Sequence, residues 1–179
     1  MDDAQHEGFT LVELLVSLAI AALLAAVAAP AMARFLDNAR LRAATGDIAR
    51  ELVLARSYAY TFRKPVYFNI AVADTAWCYG WGESPACNCN SSDPPAACQT
   101  RESGLTRDHL QTSADYPQIR LMLTGLQRTS RLVRFSPIRG TATAATLLLE
   151  NSNSQTRVII SILGRVRTCS PDTARFLAC

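Results

Sequence analysis

The side chains with chemistry to offer in this chain are arginines and cysteines. Of its 18 basic residues, 17 are arginine and one is Lys64. The run Gly164-Arg165-Val166-Arg167 sets two arginines at i and i+2. On an extended chain that spacing points both to one face, ~6.6 Å apart, with Val166 turned the other way as an anchor. Gly164 allows the turn that presents them. Guanidinium forks bind phosphate oxygens bidentately and stay charged. Residues 120–179 carry nine arginines, including Arg131, Arg134 and Arg139, against Glu150 and Asp172, a net of +7. Residues 37–119 carry eight basic and nine acidic groups, a net of −1. That asymmetry suggests an anionic partner for the C-terminal third.

Six cysteines, Cys78, Cys87, Cys89, Cys98, Cys169 and Cys179, argue for an oxidising compartment. A Cys169–Cys179 bridge would close a short loop and pin the chain end. The other four allow three connectivities. A Cys87–Cys89 bridge is disfavoured by disulfide geometry. Of the two that remain open, Cys78–Cys87 with Cys89–Cys98 is preferred. Zinc is the alternative use, but Cys87-Asn88-Cys89 lacks the usual spacing of about two to four residues, and no histidine lies close. The two histidines are His6 and His109. His109 stands in a polar segment and is expected at the surface, and Asp108 beside it is no evidence of an acid–base pair. There is no glycine-rich phosphate loop, nucleophile motif or HExxH. The chain is therefore expected to be no enzyme and to hold no cofactor or metal.

The elements that would position these groups follow from periodicity. At 179 residues the chain has the length of one domain. Its mean hydropathy, +0.08, owes much to residues 9–33. Leu41, Ile48, Leu52, Ala55, Ala59 and Phe62 recur at helical spacing and form one apolar face. The arginines on the helix's other sides, Arg56 among them, are expected to form a solvated face. Pro65 disfavours helix at Lys64, so the helix ends near Arg63; if unbroken from Thr10 it is ~80 Å long. Short strands follow: Val66, Phe68 and Ile70 alternate with polar neighbours, Trp77 to Trp81 form an aromatic cluster, and further strands fall at 119–124, 131–136, 145–150 and 155–163. Val158, Ile160 and Ile162 share one face, and Asn151-Ser152-Asn153-Ser154 signals a hairpin turn. Residues 82–105 are a Cys-rich loop. The fold class is α+β, a long N-terminal helix packed on an antiparallel sheet.

Leu14 to Ala33 are twenty residues without a charge, enough to cross a bilayer core as a helix. A cleaved secretory signal is a poor fit, because the first eight residues, MDDAQHEG, hold three acids and no Lys or Arg. A plain anchor leaves Glu13 unexplained at the mouth of the apolar run. Gly8-Phe9-Thr10-Leu11-Val12-Glu13-Leu14-Leu15-Val16 resembles the type III prepilin signal of type IV pilins and pseudopilins. The resemblance implies cleavage between Gly8 and Phe9 by an inner-membrane prepilin peptidase and methylation of the new Phe9 amine. It also implies pairing of Glu13 with the N-terminal amine of a neighbouring subunit during assembly. Pro30 falls where pilins commonly carry a helix-disrupting proline, which lets the helix bend or melt locally. Positive-inside reasoning would keep Arg34, Arg40 and Arg42 in the cytoplasm. The motif and the cysteines instead place the following domain in the periplasm.

A second resemblance lies downstream. Phe135-Ser136-Pro137-Ile138-Arg139-Gly140-Thr141, the strand at 145–150 and Val158 to Arg167 resemble the GspH/FimT pseudopilin domain. Gly164-Arg165-Val166-Arg167 is similar to the GRxR element with which FimT-type minor pilins bind DNA during natural transformation. The organisation implied is a leader over 1–8, a transmembrane and filament-core helix over 9–35, and a periplasmic pilin-like domain over 36–179. The leading expectation is a minor type IV pilin that binds extracellular DNA without sequence preference. Gly164, Arg165 and Arg167 would bind, helped by Arg131, Arg134 and Arg139. Its partners would be DNA, other major and minor pilins, the prepilin peptidase and the inner membrane, with assembly into a pilus at the cell surface. The alternative is a GspH-like minor pseudopilin of a type II secretion system, structural in pseudopilus initiation and indifferent to nucleic acid.

The first prediction concerns the N-terminus. Mass spectrometry of the mature protein should find a chain that begins with N-methyl-phenylalanine at Phe9; an intact Met1, or cleavage near Ala33, would contradict the prepilin reading.

Overall fold

Thr10 opens the long helix α1 (Leu11–Phe62) by accepting the backbone N–H of Glu13 on its hydroxyl at 3.3 Å, an N-cap with an acid in the first turn. The structure is a computed structural model that describes residues 10–73, 76–89, 98–102, 105–124, 132–171 and 178–179. The helix runs unbroken through Pro30. It stops where Arg63 adopts a left-handed φ of 53°, two residues before Pro65. The chain divides into two compact units at Leu36 and Asp37. In the first, residues 10–36 are exposed along every face. The helix carries an 18-residue window of mean hydropathy 2.6.

In the second unit α1 buries one stripe: Leu41, Ala44, Thr45, Ile48, Leu52, Ala55, Tyr58 and Ala59. Phe62 departs from the expected face. It is 38% exposed, with its ring 4.4 Å from that of Tyr58. The strands are β1 (Val66–Ala73), β2 (Ala76–Gly82), β3 (Gln99–Glu102), β4 (Leu105–Asp108), β5 (Leu110–Thr112), β6 (Arg120–Thr124), β7 (Leu132–Phe135), β8 (Ala145–Glu150), β9 (Gln155–Ile160) and β10 (Val166–Cys169). They make two four-stranded antiparallel sheets, β5-β2-β1-β7 and β10-β9-β8-β6, and a hairpin of β3 with β4. Inward residues of both sheets, such as Phe68, Val133, Leu147 and Val158, join the helix stripe in one core. Thr45 is buried within it and satisfied: its hydroxyl donates to the Leu41 carbonyl at 2.7 Å and bonds Thr156 Oγ1 at 2.6 Å.

Three further expectations need correction. Part of the segment 82–105 is not loop, because Gln99–Glu102 pairs with Leu105–Asp108. Its polar sequence hides the strand, but the backbone of Cys98 and Gln99 lies close along β2. A Cβ on Gly80 would stand 2.8 Å from Cys98, and one on Gly82 would stand 2.6 Å from the Gln99 carbonyl. Strand β9 ends at Ile160, so Ile162 does not share the buried face with Val158 and Ile160; it sits in the following turn, 68% exposed. The bridges are Cys78–Cys89 and Cys87–Cys98, not Cys78–Cys87 with Cys89–Cys98. The chain turns after Gly82, where the Cys87 N–H donates to the Ser84 carbonyl, and returns with Cys89 at the level of Cys78. Cys98 stands over Gly80, nearer the turn, and takes Cys87. With Ala71 these four cysteines make a second small core. Cys169 bonds Cys179 as expected.

Unreduced protein should therefore show no reactive thiols, and non-reducing peptide maps should recover Cys78–Cys89, Cys87–Cys98 and Cys169–Cys179. Replacing both Cys169 and Cys179 with serine should lower unfolding stability by about 3 kcal/mol, the loss that chain entropy assigns to a loop of this length. Denaturant titration measures it, and an unchanged midpoint would contradict it.

Candidate functional site

The turn before β10 is built around Gly164. The Ser161 N–H donates to the Arg165 carbonyl at 3.0 Å, and the Gly164 N–H donates to the Ser161 carbonyl at 2.8 Å. Gly164 is buried with φ +72°, and a Cβ on it would lie 2.2 Å from the carbonyl oxygen of Gly140. Only glycine fits there. From this turn β10 runs along the sheet edge, Val166 opposite Ile160 and Arg167 opposite Ile159. Val166 packs partly against the core, while Arg165 and Arg167 are exposed. The three side chains thus alternate in face, arginines outward and valine inward. A groove of ≈ 360 Å³ is lined by the two arginines together with Cys169 and Cys179.

The Gly164 turn is bonded to the loop after β7. The Ala142 N–H donates to the Ile162 carbonyl at 2.9 Å, and the Ser136 N–H donates to the Thr141 carbonyl at 2.8 Å. Arg139 is exposed on that loop. Arg134 is exposed on β7, its guanidinium 6.0 Å above the Tyr67 ring. Arg131 lies outside the described residues, as do Gly8 and Phe9. Glu13 is exposed in the first turn of α1.

Two arginines join this set without a signal in the sequence. Arg157, on β9, is the register partner of Cys169 and stands diagonally across from Arg167, within roughly 8 Å by strand geometry. Arg56, expected on a solvated face of α1, lies against both glycines. A Cβ on Gly140 would be 3.6 Å from its guanidinium, and one on Gly164 would be 2.9 Å away. A helix position and two loop glycines more than eighty residues downstream share no pattern that a reader of the sequence could use. Among the described residues, none of Arg56, Arg134, Arg139, Arg157, Arg165 and Arg167 forms an ion pair; the described pairs are Arg40–Asp37, Arg50–Asp47, Lys64–Glu83 and His109–Glu51.

His109 is not the surface residue expected. Its ring stacks on Trp81 at 3.7 Å, its side chain is 12% exposed, and Nε2 bonds Thr100 Oγ1 at 2.9 Å. Burial pushes its pKa below the ordinary histidine value, against the pull of Glu51. Glu51 accepts the Trp81 indole N–H at 2.8 Å and lies 3.9 Å from His109 Nδ1. The cluster clamps β2 to α1. Among the described residues no three His, Cys, Asp or Glu side chains are placed to hold a metal ion.

Comparison with known proteins bears on this arrangement. The family profile described as Type II transport protein GspH matches residues 44–164. The profile described as Prokaryotic N-terminal methylation motif matches residues 4–29. No curated protein matches the chain. Among solved structures, the minor pseudopilin EpsH from the Type 2 Secretion System of Vibrio cholerae is similar, with TM-score 0.51 and 14% identity over 75% of this chain and 99% of that one. The type IV minor pilin FimU of Pseudomonas aeruginosa gives TM-score 0.45 and 15% identity over 74% of this chain and 90% of that one. The EpsH likeness bears on the fold alone.

Gly164→Ala should destabilise the domain by more than about 2 kcal/mol, through a strained φ and the clash with Gly140. Arg165→Ala and Arg167→Ala should each stay within about 0.5 kcal/mol of the parent. Thermal melts of the three purified variants check the contrast; equal melting would mean that the turn tolerates a side chain.

Proposed function

This chain belongs to the GspH family and begins with a prokaryotic N-terminal methylation motif, and from that premise we propose that it is a minor pilin that captures extracellular DNA for uptake. The coarser statement holds by itself: it is a minor pilin or pseudopilin of a type IV pilus or a type II secretion system, a single-pass membrane-anchored subunit with a periplasmic domain, and it works with other pilins.

The observation that carries the DNA reading is the row of exposed arginines on and beside β10. Arg165, Arg167 and Arg157 stand on the outer side of one sheet, and Arg139 lies on the loop hydrogen-bonded to its turn. Exposed guanidinium groups on a fixed scaffold, with no ion pair among the described residues, suit the spaced phosphates of a nucleic-acid backbone. They offer no pattern for reading bases, so the binding would be indifferent to sequence. In this proposal Arg134 adds to the basic surface, Arg131, outside the described residues, adds its charge, prepilin peptidase cuts between Gly8 and Phe9, and Glu13 meets the amine of a neighbouring subunit.

The second reading is a structural pseudopilin of type II secretion. Two observations favour it: the family description itself, and the packing of Gly164 on Gly140, which explains that glycine without any ligand.

Salt dependence separates the two. Binding of labelled duplex DNA by the purified protein should weaken with a slope of about 0.9 log units per log unit of salt for each phosphate contacted. Arg165→Ala with Arg167→Ala should flatten that slope by ~2 and leave the melting temperature in place. Equal binding by parent and double variant would leave the secretion reading standing.

A further inference from the structure

Beside the basic row, and sharing Arg139 with it, lies a groove. Val53, Arg56, Ser57 and Tyr60 stand at i, i+3, i+4 and i+7 of α1, one stripe of the helix, and line one wall. Ile138 and Arg139 form the other. The space between is ≈ 390 Å³, in the range of small-ligand sites. Among the described residues, two guanidinium groups and no carboxylate line it.

Tyr60 is the unusual member. Tyr79 and Tyr116 are stacked with other rings, Tyr58 meets Phe62 tilted and Trp81 edge-on, and Tyr67 lies beneath Arg134. Among the described residues Tyr60 has no ring partner, and it is 68% exposed. Ile138 across the groove is 86% exposed. A flat aromatic face left open beside two cations fits a ligand that is both planar and anionic. Arg56 also touches Gly164, the residue before Arg165, so the groove and the β10 row are continuous.

We infer that this groove takes an unpaired nucleobase, stacked on Tyr60 with its flanking phosphates held by Arg56 and Arg139, so that the site prefers single-stranded DNA. The inference rests on the DNA reading above. A base inside a duplex is covered on both faces by its neighbours and cannot reach the ring, whereas every base of a single strand has a free face to offer. The contact is sequence-tolerant for the same reason.

The test uses full-length protein in detergent at one fixed salt concentration, with three labelled probes of equal phosphate number: a single strand, a duplex and a strand of abasic sites. The single strand should bind about tenfold tighter than the abasic strand. Tyr60→Ala should remove that advantage, Tyr60→Phe should keep it, and neither should alter duplex binding. A 2-aminopurine placed in the single strand should be quenched by the parent and by Tyr60→Phe, but not by Tyr60→Ala. Equal binding of single and abasic strands, with Arg165 and Arg167 still required, would overturn the base slot and leave the DNA reading intact. A Tyr60→Ala variant that loses all three probes together would make Tyr60 structural and overturn it too. Loss of filament incorporation with unchanged DNA binding would assign the groove to a neighbouring subunit instead. Failure of the parent to bind any probe would remove the DNA reading and this inference with it.

Discussion

Both four-stranded sheets close over one stripe of α1, and the small side chains in that stripe set how near they come. Ala44, Thr45, Ala55 and Ala59 are wholly buried among Leu41, Ile48 and Leu52. A larger residue at any of the alanines would have to displace strand side chains packed as densely as an organic crystal. The one polar member, Thr45, is tolerated because Leu41 and Thr156 satisfy its hydroxyl. The helix therefore serves as a spine common to both sheets, and the loops that leave the sheets meet at Gly140 and Gly164. The arginines inherit their positions from that meeting.

Charge is sorted by the same scaffold. Carboxylates of the middle segment are engaged close to α1: Asp37 with Arg40, Asp47 with Arg50 and the Tyr116 hydroxyl, Glu51 with the Trp81 indole, Glu83 with Lys64 and Tyr58. Arg134, Arg139, Arg157, Arg165 and Arg167 form no ion pair among the described residues, whereas Arg120 faces Glu150 in register across β6 and β8. Exposed pairs of this kind add little stability. None of these described pairs draws a carboxylate to Arg139, Arg157, Arg165 or Arg167.

The helix was legible because Leu41, Ala44, Ile48, Leu52, Ala55 and Ala59 recur at three and four, and β8 and β9 were legible as short apolar runs between turn residues. Their alternation appears only in burial, where Leu148 and Ile159 are half-buried between buried neighbours. The glycine–arginine turn was legible too, since a glycine before two alternating arginines states both a bend and a face. What stayed hidden depends on contacts between distant segments. The β3–β4 hairpin has no apolar alternation and is held by backbone close to β2. His109 looks polar from its neighbours, yet Trp81 covers its ring. Arg56 resembles any solvated helix arginine until the two glycines come beneath it.

The interleaved bridges carry a consequence for how the protein matures. Cys78, Cys87, Cys89 and Cys98 would emerge from the membrane one after another, and thiols joined in order of arrival would give Cys78–Cys87 and Cys89–Cys98. The folded domain has neither pair. Any molecule oxidised in that order must be rearranged by thiol–disulfide exchange, through a mixed disulfide with an attacking thiolate. Uncatalysed rearrangement takes minutes to hours. Supply of the finished subunit thus becomes sensitive to the isomerising capacity of its compartment as well as to its oxidising strength.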